Sequence, residues 1–317
     1  MKIVVLDGYA SNPGDLSWEP LKEFGEVTIY DRTNNENIIA RAKNAEIVIT
    51  NKVAFNEEII EKLPNIKMLS VLATGYNIID CKAARKKGII VSNVPAYSTM
   101  SVAQMTFAHI LNIYNHVEHY AEENRNNRWC FNQDFCYWDT NIQELDGKTL
   151  GIVGLGNIGM HVAKIALDFG MDVFAFTSKN SSDLPMGIQK TTMNGLFSIS
   201  DILTLHCPLT EGTHELINKE SIAKMKSGAI IINTSRGSLV NEKDVTEALK
   251  TGKLAAYGAD VMVDEPPTED NPLLGCENAF ITPHIAWASK EARQRLLNIT
   301  FDNIRSFING KSQNIVD

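Results

Sequence analysis

Apolar positions in the first hundred residues fall in short β-branched runs separated by amphipathic, helix-like stretches. The runs predict strands at Lys2–Leu6, Glu26–Tyr30, Glu46–Thr50, Lys67–Ala73 and Ile89–Asn93. Helix-like segments lie between them near Leu16–Phe24, Glu36–Lys43, Asn56–Leu63 and Asp80–Lys87. That alternation predicts βαβ units around a parallel sheet covered on both faces. Pro95 interrupts it. From about Ser101 a long helix is predicted, with Val102, Met105, His109, Ile110, Ile113 and Val117 on one face. An Asn-rich segment, Glu122–Arg128, and an aromatic loop, Trp129–Trp138, end that stretch. A second βαβ series follows, with strands predicted at Thr149–Val153, Asp172–Phe176, Ile202–His206, Ala229–Asn233, Ala255–Val261 and Ala279–Thr282. Lys290–Asn309 reads as one amphipathic helix closed by Gly310, long enough to cross back to the first domain. The fold class expected is α/β, with two domains.

Composition narrows the function classes. At 317 residues the chain is long enough for about two domains of roughly 100–200 residues each. Its formal net charge of −8 argues against a nucleic-acid partner, which requires a concentrated basic surface. The five cysteines, at positions 81, 130, 136, 207 and 276, include no CxxC pair. They suit reduced thiols in a cytoplasmic protein rather than a disulfide framework or a zinc site. The start, Met1–Gly8, is too short in apolar residues for a signal segment, and no run approaches the roughly 18 that a membrane span needs.

The strongest local signal is Gly154, Gly156 and Gly159, a GxGxxG that follows one predicted strand and opens a helical run, Met160–Phe169. There, a tight turn lets backbone N–H groups at a helix N-terminus hold a pyrophosphate, which predicts a dinucleotide cofactor. An acid is expected about 20 residues on, to bind the adenosine ribose. The position falls instead on Thr177, followed by Ser178 and Lys179, while Asp172 stands at the wrong end of its strand. Two hydroxyls and a cation suit a 2′-phosphate, so the reading leans to NADP over NAD.

Three later segments each place a polar residue beyond a strand, where open α/β sheets bind ligands. Arg236 follows Asn233-Thr234-Ser235, and its planar fork suits a carboxylate. Glu265 lies in Asp264-Glu265-Pro266, and His284 follows Pro283. A carboxylate beside a histidine sets its tautomer and stabilises the imidazolium, the requirement for a general acid. With Arg236 polarising the carbonyl, these are the parts for reducing a 2-oxo acid.

Over nearly its whole length the chain resembles the NAD(P)-dependent D-isomer-specific 2-hydroxyacid dehydrogenases. The likeness runs through Leu72–Asp80, Leu145–Thr149, Leu205–Thr210, Asn233–Gly237, Asp264–Pro266 and Pro283–Ile285. It implies that Arg236 binds the substrate carboxylate, His284 donates the proton and Glu265 orients His284, with backbone N–H groups of Thr74 and Gly75 on the carboxylate. It also implies cofactor contacts at Asn157, Ile158, Thr177, Cys207, Pro208, Thr213, Thr234, Ser235 and Asp260. The fold it implies is a flavodoxin-like substrate domain, 1–99 with 288–317, and an inserted doubly wound NAD(P)-binding domain, 100–287, with a cleft between them. Members are usually homodimers joined by the helix after the first crossing and its following loop.

Asp7-Gly8-Tyr9 and Asp134–Trp138 resemble the glycerate dehydrogenase and hydroxypyruvate or glyoxylate reductase branch. In that reading Trp138 walls the partner's substrate pocket; the aromatics could equally be dimer packing. Alternatives are a dehydrogenase of D-lactate or phosphoglycerate, a formate dehydrogenase, and a dinucleotide-sensing corepressor on the same fold. The Glu265–His284 pair favours a reaction that needs a general acid. His109, His116 and His119 are read as interface or surface residues, and no metal is expected.

Overall fold

The structure, a computed structural model, describes residues 1–316. The chain divides into two compact units, Met1–Ser98 together with the chain from Ala288 onward, and Thr99–Trp287.

The first unit holds five parallel strands, β1 (Lys2–Val5), β2 (Glu26–Ile29), β3 (Ile47–Thr50), β4 (Met68–Val71) and β5 (Ile90–Ser92), in the order β2-β1-β3-β4-β5. That is the flavodoxin-like order. β3 and β4 are buried along their whole length, as central strands of a two-faced parallel sheet must be. The segment predicted as helical at Leu16–Phe24 is a 3-10 turn, Glu19–Phe24, with Pro20 as its second residue. The helix Lys290–Ile308 packs on this sheet and is tied to residue 15 by a two-pronged ion pair, Arg293 to Asp15 at 2.7 and 2.8 Å. The segment after the helix then returns along β5, where Ile315 pairs antiparallel with Ser92 and the Val316 N–H donates to the Val91 carbonyl.

The second unit holds seven parallel strands, β6 (Thr149–Val153), β7 (Asp172–Phe176), β8 (Ile188–Lys190), β9 (Ile202–Leu205), β10 (Ala229–Asn233), β11 (Leu254–Ala259) and β12 (Ala279–Ile281). Their order, β12-β11-β10-β9-β6-β7-β8, is that of a doubly wound dinucleotide fold with one strand added. The direction of winding reverses between β6 and β9, so the crevice beyond those strands is the expected ligand position. The three-residue edge strand β8 lacks an apolar run, having one buried residue followed by Gln189 and Lys190, and its sequence pattern did not predict it.

The predicted long helix is two. Thr99–Asn115 buries Val102, His109, Ile110 and Ile113, but His116 adopts a left-handed conformation (φ 50°) and a second helix, Val117–Arg125, starts beyond it. The break turns Val117 out of the apolar face, leaving it 64% exposed. Among the described residues no helix is long and apolar enough to cross a membrane.

Candidate active site

The glycine loop begins where β6 ends. Gly154 has φ 92°, and a Cβ there would stand 2.7 Å from the His206 carbonyl, so only glycine lets the turn lie against β9. A Cβ on Gly159 would meet the Gly154 carbonyl at 2.2 Å, which is how closely the helix Asn157–Asp168 seats on the loop. Gly156, by contrast, has no atom within 4 Å of the Cβ position. The space a side chain would fill is open in front of the helix N-terminus, as a pyrophosphate requires. The residues present therefore fit a dinucleotide.

Around that loop, Cys207 is buried and its carbonyl accepts a 2.8 Å hydrogen bond from Ser235 Oγ. Thr213 Oγ1 donates to the Pro208 carbonyl, holding the turn that carries Pro208 at the surface. Thr234 is buried, its hydroxyl 3.0 Å from that of Thr106. Asn157 and Ile158 open the helix, and the Asn157 carbonyl contacts His161 Nδ1. At the end of β7, Thr177 Oγ1 accepts the Lys179 N–H. One residue missed by the motif reading stands here: Lys190 Nζ donates to the Lys179 carbonyl at 2.6 Å, bringing a second ammonium under the exposed Ser178–Lys179 turn. Its signal was a lysine at the end of an unrecognised strand.

Arg236, Glu265 and His284 follow three neighbouring strands, β10, β11 and β12. Arg236 is exposed, and one of its nitrogens donates to the Ser235 carbonyl at 2.7 Å. Gly237 behind it is pressed on the next loop: a Cβ there would lie 2.0 Å from the Met262 carbonyl carbon. That loop is in turn folded by Glu265, whose Oε1 accepts the Met262 N–H while Oε2 lies 2.6 Å from His284 Nδ1. With Nδ1 committed to Glu265, Nε2 is the ring atom left to exchange a proton with a substrate.

His284 sits in the left-handed region (φ 54°), an uncommon conformation for a residue bearing a side chain. Asp260 holds it there. Its carboxylate, 1% exposed, accepts from the Ile285 N–H (2.9 Å), the Ala286 N–H (2.7 Å) and Thr282 Oγ1 (2.6 Å). Asp260 thus spends most of its accepting capacity on the loop that presents His284. Behind it, His109 Nε2 lies 3.2 Å from Thr282 Oγ1. His109 is not a surface residue: it is 5% exposed, because its helical turn faces β11, where Gly258 makes room for it. Burial lowers its pKa, opposed by the charge of Asp260. At the end of β9, burial brings the His206 pKa down to about 4, and its Nε2 is the one buried side-chain polar atom without a partner among the described residues.

The remaining predicted residues stand elsewhere. Thr74 and Gly75 follow β4 in the first unit, where the Thr74 hydroxyl donates to the Val94 carbonyl at 2.9 Å. Trp138 is 70% exposed, beyond the helix Val117–Arg125. His119 contacts Asp139 at 2.9 Å, and among the described residues no group of three metal-ligating side chains occurs.

The chain is similar over most of its length to known proteins. The profile described as "D-isomer specific 2-hydroxyacid dehydrogenase, NAD binding domain" matches residues 107–286. A hydroxypyruvate reductase of Blautia hydrogenotrophica is 48% identical over 321 residues, covering 100% of both chains. A glycerate dehydrogenase of Methylorubrum extorquens is 38% identical over 92% of each. Among solved structures, an acyclic imino acid reductase in complex with NADPH and D-Arg superposes with a TM-score of 0.87 at 31% identity, covering 100% of both chains.

Proposed function

Since the chain belongs to the D-isomer specific 2-hydroxyacid dehydrogenase family, we propose that it reduces hydroxypyruvate and glyoxylate and, in reverse, oxidises D-glycerate. The observation that carries the chemistry is the 2.6 Å contact between His284 Nδ1 and Glu265 Oε2 at the ends of β12 and β11, with Arg236 at the end of β10, the strand beside β11. The full-length likeness to a hydroxypyruvate reductase supports the choice of acid.

In this reading the Arg236 guanidinium pairs with the substrate carboxylate and withdraws electron density from the adjacent carbonyl. The N–H groups of Thr74 and Gly75 are assigned to the same carboxylate. His284 gives the proton on Nε2 to the carbonyl oxygen, and Glu265 stabilises the imidazolium before that transfer. When bound, the reduced nicotinamide supplies the hydride; the pyrophosphate would be held by Gly154–Ile158 and the adenosine side by Thr177, Cys207 and Pro208. The net change is one hydride and one proton added across C=O.

NADP(H) is the proposed cofactor. Thr177, Ser178, Lys179 and Lys190 offer hydroxyls and two ammonium groups where an acid would favour bare ribose hydroxyls. A second copy of the chain is the proposed partner. Trp129, Phe131, Phe135 and Trp138, between 54% and 89% exposed, make an apolar surface that a partner would cover, with Trp138 walling its substrate pocket. The test is a kinetic panel of 2-oxo acids against NADH and NADPH. Highest kcat/KM is expected with hydroxypyruvate or glyoxylate and NADPH; preference for a bulky 2-oxo acid would overturn the substrate assignment, and preference for NADH the cofactor assignment.

A further inference from the structure

Three asparagines far apart in sequence form a closed ring in the first unit. The Asn93 N–H donates to the Asn314 carbonyl (3.1 Å), Asn314 Nδ2 donates to Asn303 Oδ1 (2.8 Å), and Asn303 Nδ2 donates to the Asn93 carbonyl (2.9 Å). Asn303 is fully buried and Asn93 is 8% exposed. Buried amides are costly unless their hydrogen-bonding groups are met, and the ring gives both ends of the Asn303 side chain a partner. Asn93 enters the ring through its backbone, and its side chain, outside the ring, donates from Nδ2 to the Thr74 carbonyl at 2.7 Å. Thr74 closes the contact from its own side, its hydroxyl bonded to the Val94 carbonyl at 2.9 Å, while the Val94 N–H bonds to Ala73. The carbonyl held by Asn93 belongs to the peptide unit whose N–H is that of Gly75. Fixing that oxygen fixes the direction in which the Gly75 N–H points.

We propose that Asn93, Asn303 and Asn314 are positioning residues for substrate, orienting the Thr74–Gly75 peptide and making its geometry depend on the chain segment that follows the helix Lys290–Ile308. The inference rests on the reading that this peptide donates to the substrate carboxylate. Asn314 lies in the left-handed region (φ 51°), so Asn314→Gly removes its amide without opposing the backbone. Asn93→Ala removes the bond to Thr74 directly.

The experiment measures KM and kcat for hydroxypyruvate, cofactor affinity by fluorescence, and melting temperature, in the full chain. Expected are a KM raised about tenfold in Asn93→Ala and about threefold in Asn314→Gly, with kcat within about twofold, the scale of one hydrogen bond. Cofactor affinity should not change. A merely structural ring would lower the melting temperature and leave KM where it was, which would overturn the proposal. Asn314→Gly keeps the test open if Asn93→Ala fails to fold. Gly75→Pro, which deletes the N–H itself, separates the two levels. Unchanged KM in Gly75→Pro sinks the carboxylate reading; raised KM there with normal KM in both asparagine variants sinks the relay.

Discussion

The two units finish their sheets in opposite chemical styles. Beyond β10–β12 the second unit sets out ionisable side chains, Arg236, Glu265 and His284, and braces the His284 loop with a buried carboxylate, Asp260. Beyond β4 the first unit offers backbone at Thr74–Gly75, braced by neutral amides. A second brace in the first unit is Asp7, whose carboxylate accepts the N–H groups of Asn51, Lys52 and Val53, while Asn51 Nδ2 donates to the Leu72 carbonyl. Proton transfer needs a titratable atom; orientation of a carboxylate needs only fixed dipoles. The contrast lies in what each unit presents, ionisable side chains against backbone, because a carboxylate, Asp260 or Asp7, braces a loop in both.

The sharpest way to break the contrast is through the proposed proton donor. His284→Gln should lower kcat by about 10²–10⁴-fold, with cofactor binding and fold retained, whereas the backbone-side variants act on KM. Retained turnover in His284→Gln, read by cofactor absorbance, would erase the distinction. Next comes the brace. Asp260→Asn replaces one carboxylate oxygen by a donor facing N–H or O–H groups, so it should cost about 1–3 kcal/mol of stability and lower kcat about tenfold by releasing the His284 loop. Thermal melts and turnover on the same sample check both. A loss of stability without loss of kcat would show that His284 holds its pose unaided.

The smallest effect on turnover is expected from acid sensitivity, which is read in stability instead. All seven histidines lie in the second unit. His206, its pKa lowered to about 4 by burial, and His109, lowered by burial, take up protons in the unfolded chain at higher pH than in the fold. Below about pH 6.5 the unfolded state therefore binds more protons, and stability falls as pH drops from there towards 4. For His206 the loss is on the order of 2–3 kcal/mol. His206→Asn should flatten the melting temperature between pH 6.5 and 4; an unchanged slope would place the sensitivity elsewhere.

The same contrast sets how much was legible in the sequence. Strand-end motifs such as Asn233–Gly237 and Pro283–Ile285 are local, so the Arg236, Glu265 and His284 set and the positions of the main strands along the chain could be read directly. β8 could not, because Gln189 and Lys190 on a short edge strand carry no periodicity, and no motif marks Lys190. Spacing puts His109 on a helix face but does not carry the depth at which Gly258 receives it. The break at His116 depends on a left-handed residue that no neighbouring glycine announces. The asparagine ring joins positions 93, 303 and 314, and polar residues so far apart share no local pattern.

The segment that closes the ring also occupies the outer margin of β5, through Ile315 and Val316. A bare margin of this kind presents unpaired N–H and C=O groups that can template strand addition from another chain. Here the chain supplies its own blocking strand, leaving β2 as the other margin of that sheet. Unseating the segment would therefore have a colloidal consequence as well as a kinetic one, with self-association growing with protein concentration while the strands themselves remain folded.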